Sequence, residues 1–303
     1  MSKHIVANDP RNRVGEAEVM TEHIEVDGRM RTFTVVGPRR QGQALILVFH
    51  GSRQSGEIHR AFTGGAYDAL TDEGALVAYL DGYRGNWNDA RRESRFPARL
   101  ARIDDVAFTR AVIARLGETH GIDENRVYAI GYSNGGQMVM RLLHEEASPL
   151  AGGAVVAATL PEPDSFLLPQ DMPAPHPVPV LLVHGTADPV VPYAGGRMRR
   201  WAQLVFRVGG SSLSAPDTAA YFARRNGITS PPTSRADAAT HPDGTRVERA
   251  DWQEAGHPSV TFVTVHGGGH TVPGPKPGPR LIGRTATSIS VANLAAETFG
   301  LGG

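Results

Sequence analysis

Gly131-Tyr132-Ser133-Asn134-Gly135 stands between an apolar, β-branched run, Val127-Tyr128-Ala129-Ile130, and a helix-forming stretch that opens at Gly136-Gln137. A strand that turns straight into a helix cramps the residue at the turn, and only neighbours without side chains leave it room. Gly131 and Gly135 supply that room, and the Ser133 hydroxyl is lifted clear of the sheet. The feature constrains the fold because it demands a strand, a sharp turn and a helix in that order. In a chain with 35 glycines the spacing alone arises by chance, so the surrounding pattern carries the reading.

That pattern alternates strand and helix. His23–Val26 and Arg31–Val36 flank Asp27-Gly28, a hairpin signal that predicts an antiparallel edge. Ala44–Phe49 reads as a buried strand, 57–73 as a helix, and Ala75–Leu80 as a returning parallel strand. Asp104 or Asp105 caps a helix whose apolar positions Phe108, Ala111, Val112 and Leu116 recur at helical spacing, and Gly121 closes it. A strand is expected near 152–159, a helix from Ser214, a hairpin excursion from Ala236 to Trp252, and a last helix over 284–299. The fold class is therefore α/β, a mostly parallel central sheet with an antiparallel edge hairpin and helices on both faces. Residues 1–18 are polar and expected to fray, leaving 19–303 as one catalytic domain, since α/β folds of this length are routinely undivided.

Two features downstream of Ser133 complete a chemistry. Asp188 follows Val178–Val183, and His270 follows Val260–Val265 and three glycines, giving the chain order serine, acid, histidine. A serine hydroxyl is a poor nucleophile near neutral pH, so an imidazole must take its proton during attack and return it to the leaving group. A carboxylate on the far nitrogen holds that imidazole in one tautomer and stabilises it as a cation. The negative oxygen that develops needs backbone N–H donors, which places an oxyanion hole at Asn134 and at Ser52 in the turn His50-Gly51-Ser52-Arg53-Gln54.

Plainer readings compete with each of these. Asp188 precedes Pro189 and can be only a turn residue. His266 and His270 stand four apart, as metal pairs do on helices, but three intervening glycines oppose a helix, so no metal is expected. His50 reads as a packed turn residue, and Met138, Met140, Leu142 and Leu143 read as core. Gly195 to Leu213 holds Met198, Trp201, Leu204, Val205 and Phe206 just beyond Asp188, at the sheet edge where ligands bind. It reads as a lid or pocket wall, with Trp201 and Phe206 touching substrate, or else as a short amphipathic helix packed on the body or a dimer contact.

Several separated motifs together resemble the polyhydroxybutyrate depolymerase and feruloyl esterase-like branch of the α/β-hydrolases. They are Trp87–Arg91, Asp104–Phe108, Arg126–Tyr128, Gly131–Gly136, His184–Tyr193 and Gly267–Thr271, covering the chain from about residue 30 onward. The resemblance implies a carboxylic ester hydrolase of extracellular type using Ser133, Asp188 and His270, with Trp87 and Asn88 beside the acyl or alcohol pocket. Two positions depart from the family: Ser52 stands in place of a cysteine, and Val272 in place of an aromatic residue past the histidine, which implies a roomier rim at Val272.

Composition narrows the partners. Lys plus Arg equals Asp plus Glu and no basic stripe appears, so nucleic acid is not expected; no apolar run approaches a membrane span. The chain has no cysteine, which removes disulfides and thiolate metal sites. The N-terminus lacks the apolar core of a signal peptide, so the chain as written reads as cytoplasmic, and as secreted if a leader preceded it. The expected function is a serine carboxylic ester hydrolase without cofactor, forming an acyl-enzyme on small soluble, aromatic acyl or short hydroxyalkanoate esters. The alternatives are a serine peptidase or acyltransferase on the same fold, or a non-catalytic binding module. Oligomeric state is left open.

Overall fold

Ten strands share one sheet, and their order brings distant parts of the chain together. The computed structural model describes residues 18–145, 150–168, 176–198, 200–206 and 208–302, the side chains of Arg200, Leu204 and Phe206 excepted. The expected frayed segment 1–18 lies outside the described residues, apart from Glu18. Strands β1 (Val19–Val26), β2 (Arg29–Val36), β3 (Gln43–Phe49), β4 (Ala75–Leu80), β5 (Ile122–Tyr132), β6 (Gly152–Val156), β7 (Val180–Gly185), β8 (Thr233–Ala236), β9 (Arg246–Glu254) and β10 (His257–His266) lie in the order β1-β2-β4-β3-β5-β6-β7-β10-β9-β8. The run from β4 to β10 is parallel throughout. Antiparallel strands close both edges, β1 and β2 at one and β9 and β8 at the other.

Burial follows from this layering. Every residue of β3, β4, β6 and β7 is buried, which is why those strands read as unbroken apolar runs: helices cover both faces. Alternate residues divide between two cores, Leu45, Leu47 and Phe49 on one face and Ile46 and Val48 on the other. The helices are α1 (Gly56–Thr63), α2 (Pro97–Leu100), α3 (Asp105–His120), α4 (Asn134–His144), α5 (Arg200–Phe206), α6 (Ala215–Arg225) and α7 (Val291–Phe299). Asp104 caps α3 by accepting from the Ala107 N–H at 2.8 Å, and Gly121 closes it in the left-handed region. Among the described residues no helix is long and apolar enough to cross a membrane.

Two helices differ from expectation for identifiable reasons. The helix expected over 57–73 ends at Thr63, because Gly64 and Gly65 take φ of +71° and +73°, and a 3₁₀ turn over Ala66–Thr71 follows. The last helix starts at Val291 rather than 284. The carbonyls of Ile282, Arg284 and Ala286 instead accept from the N–H groups of His270, Gly269 and Gly274, so this stretch buttresses the histidine loop. The strand expected over 152–159 ends at Val156, where Ala157 turns to φ +52°.

Candidate active site

Ser133 sits at φ +54° and ψ −114°, a conformation that a residue with a side chain adopts only under constraint. The two flanking glycines make it possible. A Cβ on Gly131 would overlap the carbonyl of Gly135, and one on Gly135 would overlap the carbonyl of Phe49 at the end of β3. The turn joins β5 to α4, whose first residue is Asn134.

The sheet order then delivers the other two groups. Asp188 follows β7 and His270 follows β10, which is hydrogen-bonded alongside β7. Nδ1 of His270 donates to Asp188 Oδ2 at 2.7 Å, and Nε2 lies 2.9 Å from Ser133 Oγ. The remaining oxygen of Asp188 accepts from the Val190 and Val191 N–H groups at 2.7 and 2.8 Å. Burial pushes the Asp188 carboxyl up, but His270, His184 and the Val190 N–H together outweigh it and hold it below the usual carboxylate range. An ionised carboxylate fixed this way holds the imidazole with Nε2 toward the hydroxyl, the arrangement that general-base activation requires. The Tyr132 hydroxyl donates to the backbone carbonyl of His270 at 2.6 Å, tying the elbow directly to the histidine loop.

The backbone N–H groups of Ser52 and Asn134 find no acceptor among the described residues, and Ser52 lines the same cavity as Ser133. Side chains around them lock both turns. His50 is fully buried; its Nε2 accepts from the Gly82 N–H at 2.9 Å, and its Nδ1 donates to the Gly51 carbonyl at 2.7 Å. Desolvation lowers its pKa to about 4, so it stays neutral, a structural residue of the turn. Gln54 Oε1 accepts the Gly51 N–H at 3.0 Å. Asn134 Oδ1 accepts the Trp87 N–H at 2.9 Å, while its Nδ2 donates to Asp89 at 2.5 Å.

These contacts correct the expected roles of Trp87 and Asn88. Trp87 has no exposed surface, and its indole N–H donates to the His50 carbonyl at 2.9 Å, so it packs beneath the site instead of facing a ligand. Asn88 is occupied at the start of α3 and in the turn before it: its N–H donates to Asp105 and its side-chain amide to the Ile103 carbonyl. Val272 is likewise buried in the core, not at a rim.

A cavity of about 530 Å³ opens over Ser133 and His270, walled by Phe62, Tyr132, Trp201, Leu281 and Ile282 among others. Trp201, one of the residues expected at the pocket, lines this cavity. The side chain of Phe206 lies outside the described residues. Phe62, Leu281 and Ile282 were not anticipated; they reach the cavity from α1 and from the 3₁₀ turn Arg280–Ile282, and no spacing relates them to Ser133. The segment carrying Trp201 is pinched at its base, where Gly196 and Ser212 exchange both backbone hydrogen bonds at 2.7 and 3.1 Å. Ala202 packs there against Val190, Val191 and Met198. His266 bonds Glu248 at 2.7 Å, and the described residues contain no group of three or more His, Asp or Glu placed to hold a metal.

Known proteins resemble this chain in sequence and in fold. A family model described as Phospholipase/Carboxylesterase matches residues 90–204. NocK of Nocardia uniformis subsp. tsuyamanensis, named as an esterase, is 32% identical, the match covering 97% of this chain and 86% of that protein. Feruloyl esterase B of Piromyces equi is 29% identical across 75% of this chain and 39% of its own length. An acetyl xylan esterase from Aspergillus awamori shares the fold at a TM-score of 0.61 and 13% identity, covering 93% of this chain and 99% of that one. The chain belongs to the α/β-hydrolases, in their esterase branch. It is a hydrolase of carboxylesterase type.

Proposed function

We propose that residues 19–303 form one catalytic unit in which Ser133 is the nucleophile, His270 the general base and acid, and Asp188 the carboxylate that orients the imidazole. The observation that carries this reading is the continuous chain of hydrogen bonds from Asp188 through His270 to Ser133. Oγ attacks the ester carbonyl carbon as its proton passes to Nε2, and the oxyanion accepts from the N–H of Asn134 at the start of α4 and from that of Ser52 in the turn after β3. Collapse breaks the carbon–oxygen bond of the ester, and Nε2 returns the proton to the departing alkoxide. Water, deprotonated by the same nitrogen, then attacks the acyl-enzyme and releases the acid and Ser133.

Side chains and water complete this cycle. The cavity is apolar around Phe62, Tyr132, Trp201, Leu281 and Ile282, which suits small soluble esters with one apolar or aromatic arm. Aromatic acyl esters, the kind named for one relative, and short hydroxyalkanoate esters fall within that class. The test is hydrolysis of a short aryl ester by the wild-type protein and by Ser133→Ala, with an organophosphate label mapped by mass spectrometry. A loss of roughly 10⁴ to 10⁶ in turnover and a label on Ser133 are expected. A variant retaining a tenth of the activity, or a label on another serine, defeats the mechanism.

A further inference from the structure

A second, much smaller chamber adjoins the large cavity and shares Ser52, Ser133 and Val190 with it. Its volume is about 20 Å³, and its walls include Ser52, Ser133, Arg91, Gln137 and Ala158. His270 lines the large cavity and not this chamber. A further space of about 30 Å³ continues past Gln137, beneath Gly209–Ser212.

Gln137 follows Ser133 by one turn of α4, and its side chain is buried. Its Nε2 donates to the Thr159 carbonyl at 2.8 Å. That contact fixes which end of the amide is which, because a carbonyl can only accept. Oε1 is then the atom left over: it is buried and meets no donor among the described residues. Buried acceptors are almost always matched, so an unmatched acceptor on a residue that lines the chamber together with Ser133 points to a donor on a ligand. Arg91, in the same wall, has its charge matched by Asp89.

We propose that this chamber is the acyl subsite, and that Gln137 Oε1 accepts a hydrogen bond from a hydroxyl on a short acyl group. The inference rests on Ser133 and His270 acting as proposed above. His270 must hand its proton to the leaving oxygen, so the alcohol arm lies on the side His270 lines, in the large cavity. The acyl arm is left with the chamber. A volume of about 20 Å³ takes one or two water-sized groups, the size of a single carbon and a hydroxyl beyond the ester carbonyl. The substrate class is therefore narrower than the one proposed above, an ester of a short 2-hydroxy acid with an apolar alcohol, and aromatic acyl groups are too large for the chamber.

Benzyl glycolate, benzyl methoxyacetate, benzyl acetate and benzyl octanoate, followed by acid release, test this in the wild-type protein and in Gln137→Met. Glycolate and methoxyacetate activate the carbonyl similarly, but only glycolate offers a donor. In the wild type, kcat/KM is expected to favour glycolate over methoxyacetate by about tenfold or more, because a site built around a hydroxyl leaves its buried acceptor unpaired otherwise. The ratio should fall close to one in Gln137→Met, whereas a preference due to size alone would survive there. Octanoate should be a far poorer substrate than acetate. An active wild type that treats glycolate and methoxyacetate alike, a ratio kept in Gln137→Met, or octanoate cleaved as fast as acetate overturns the subsite and leaves the triad standing. If Gln137→Met does not fold, the wild-type ratios decide. No hydrolysis of any benzyl ester, or full activity in Ser133→Ala, overturns the parent mechanism and the subsite with it.

Discussion

The hydroxyl of Tyr132 donates to the backbone carbonyl of His270 at 2.6 Å, so the residue before the elbow serine holds the loop that carries the imidazole. Tyr132 ends β5 and His270 follows β10, two strands separated by β6 and β7 in the sheet. Tyr132→Phe keeps the ring that lines the cavity and removes only the donor. The His270 carbonyl is then left without it in a buried site, and unfolding free energy should drop by about 1 to 3 kcal/mol. Turnover should fall as well, by about tenfold, as the Nε2 to Oγ distance loosens. Equal stability and turnover in urea titration and ester assays would show that the backbone bonds to Ile282, Arg284 and Ala286 hold the loop without the tyrosine.

Gly135 tests the elbow from the other side. A methyl there meets the Phe49 carbonyl, which belongs to the central strand β3 and cannot move away. Gly135→Ala should cost more than about 3 kcal/mol or prevent folding, as overpacking against fixed backbone does. Gly274→Ala is the matched control. A Cβ at Gly274 meets nothing within 4 Å, so its effect should stay within about 0.5 kcal/mol.

Buried histidines give the fold an acid limit. Desolvation lowers the pKa of His50 and His144 to about 4 and of His59 to about 3, and it lowers that of His184 as well. In the unfolded chain each binds a proton near pH 6.5. Below that pH the unfolded state holds more protons than the folded one, so stability is fully present above about 6.5 and is lost as pH falls toward 4. Each such histidine contributes about 1.4 kcal/mol per pH unit across this window. The unfolding free energy should therefore drop by several kcal/mol between pH 7 and pH 5, and His144→Gln should flatten the slope by about one proton. A curve level across this range would contradict the burial of these rings as neutral species. Asp188 acts elsewhere on the pH scale: its depressed folded-state pKa means that its contribution is present above the ordinary carboxylate range and disappears only at lower pH.

Trp201 and Leu281 frame the mouth of the large cavity from opposite segments, and both are well exposed, Leu281 at 93%. Replacing either by alanine removes little packing, so melting temperature should hold. The effect should appear in substrate ranking: kcat/KM for benzyl esters should fall about tenfold relative to methyl esters, the scale of a lost apolar contact in a pocket. A uniform loss across esters together with a lower melting temperature would instead make Trp201 a packing residue.

The sequence made the elbow and the parallel strands legible because both depend on neighbours in the chain. Glycines flank Ser133 because its φ of +54° needs them, and the strands read as apolar runs because helices cover them twice over. Trp87 and Asn88 misled because their motif stands near the site without facing it; the tryptophan supports the His50 turn from below. Asp89, which holds the Asn134 amide, was hidden in the same motif: an acid two residues before an arginine is ordinarily a surface pair. Leu281, Ile282 and Phe62 reach the cavity only through folding of loops far apart in sequence, so no local pattern marks them. Gln137 carried a faint signal, a polar residue just ahead of the apolar run Met138–Met140 in a helix buried almost throughout.

The paired hydrogen bonds between Gly196 and Ser212 have a bearing on how such a chain diversifies. They fasten the two ends of the segment between them to each other, so its exposed positions can vary while Ala202, packed against the Val190 and Val191 whose N–H groups hold Asp188, keeps its place. Closing a longer loop costs little additional entropy, on the order of 0.6 kcal/mol for each doubling. Exposed residues at the cavity mouth such as Trp201 can thus be exchanged while the residues proposed to cleave the ester stay where the sheet puts them.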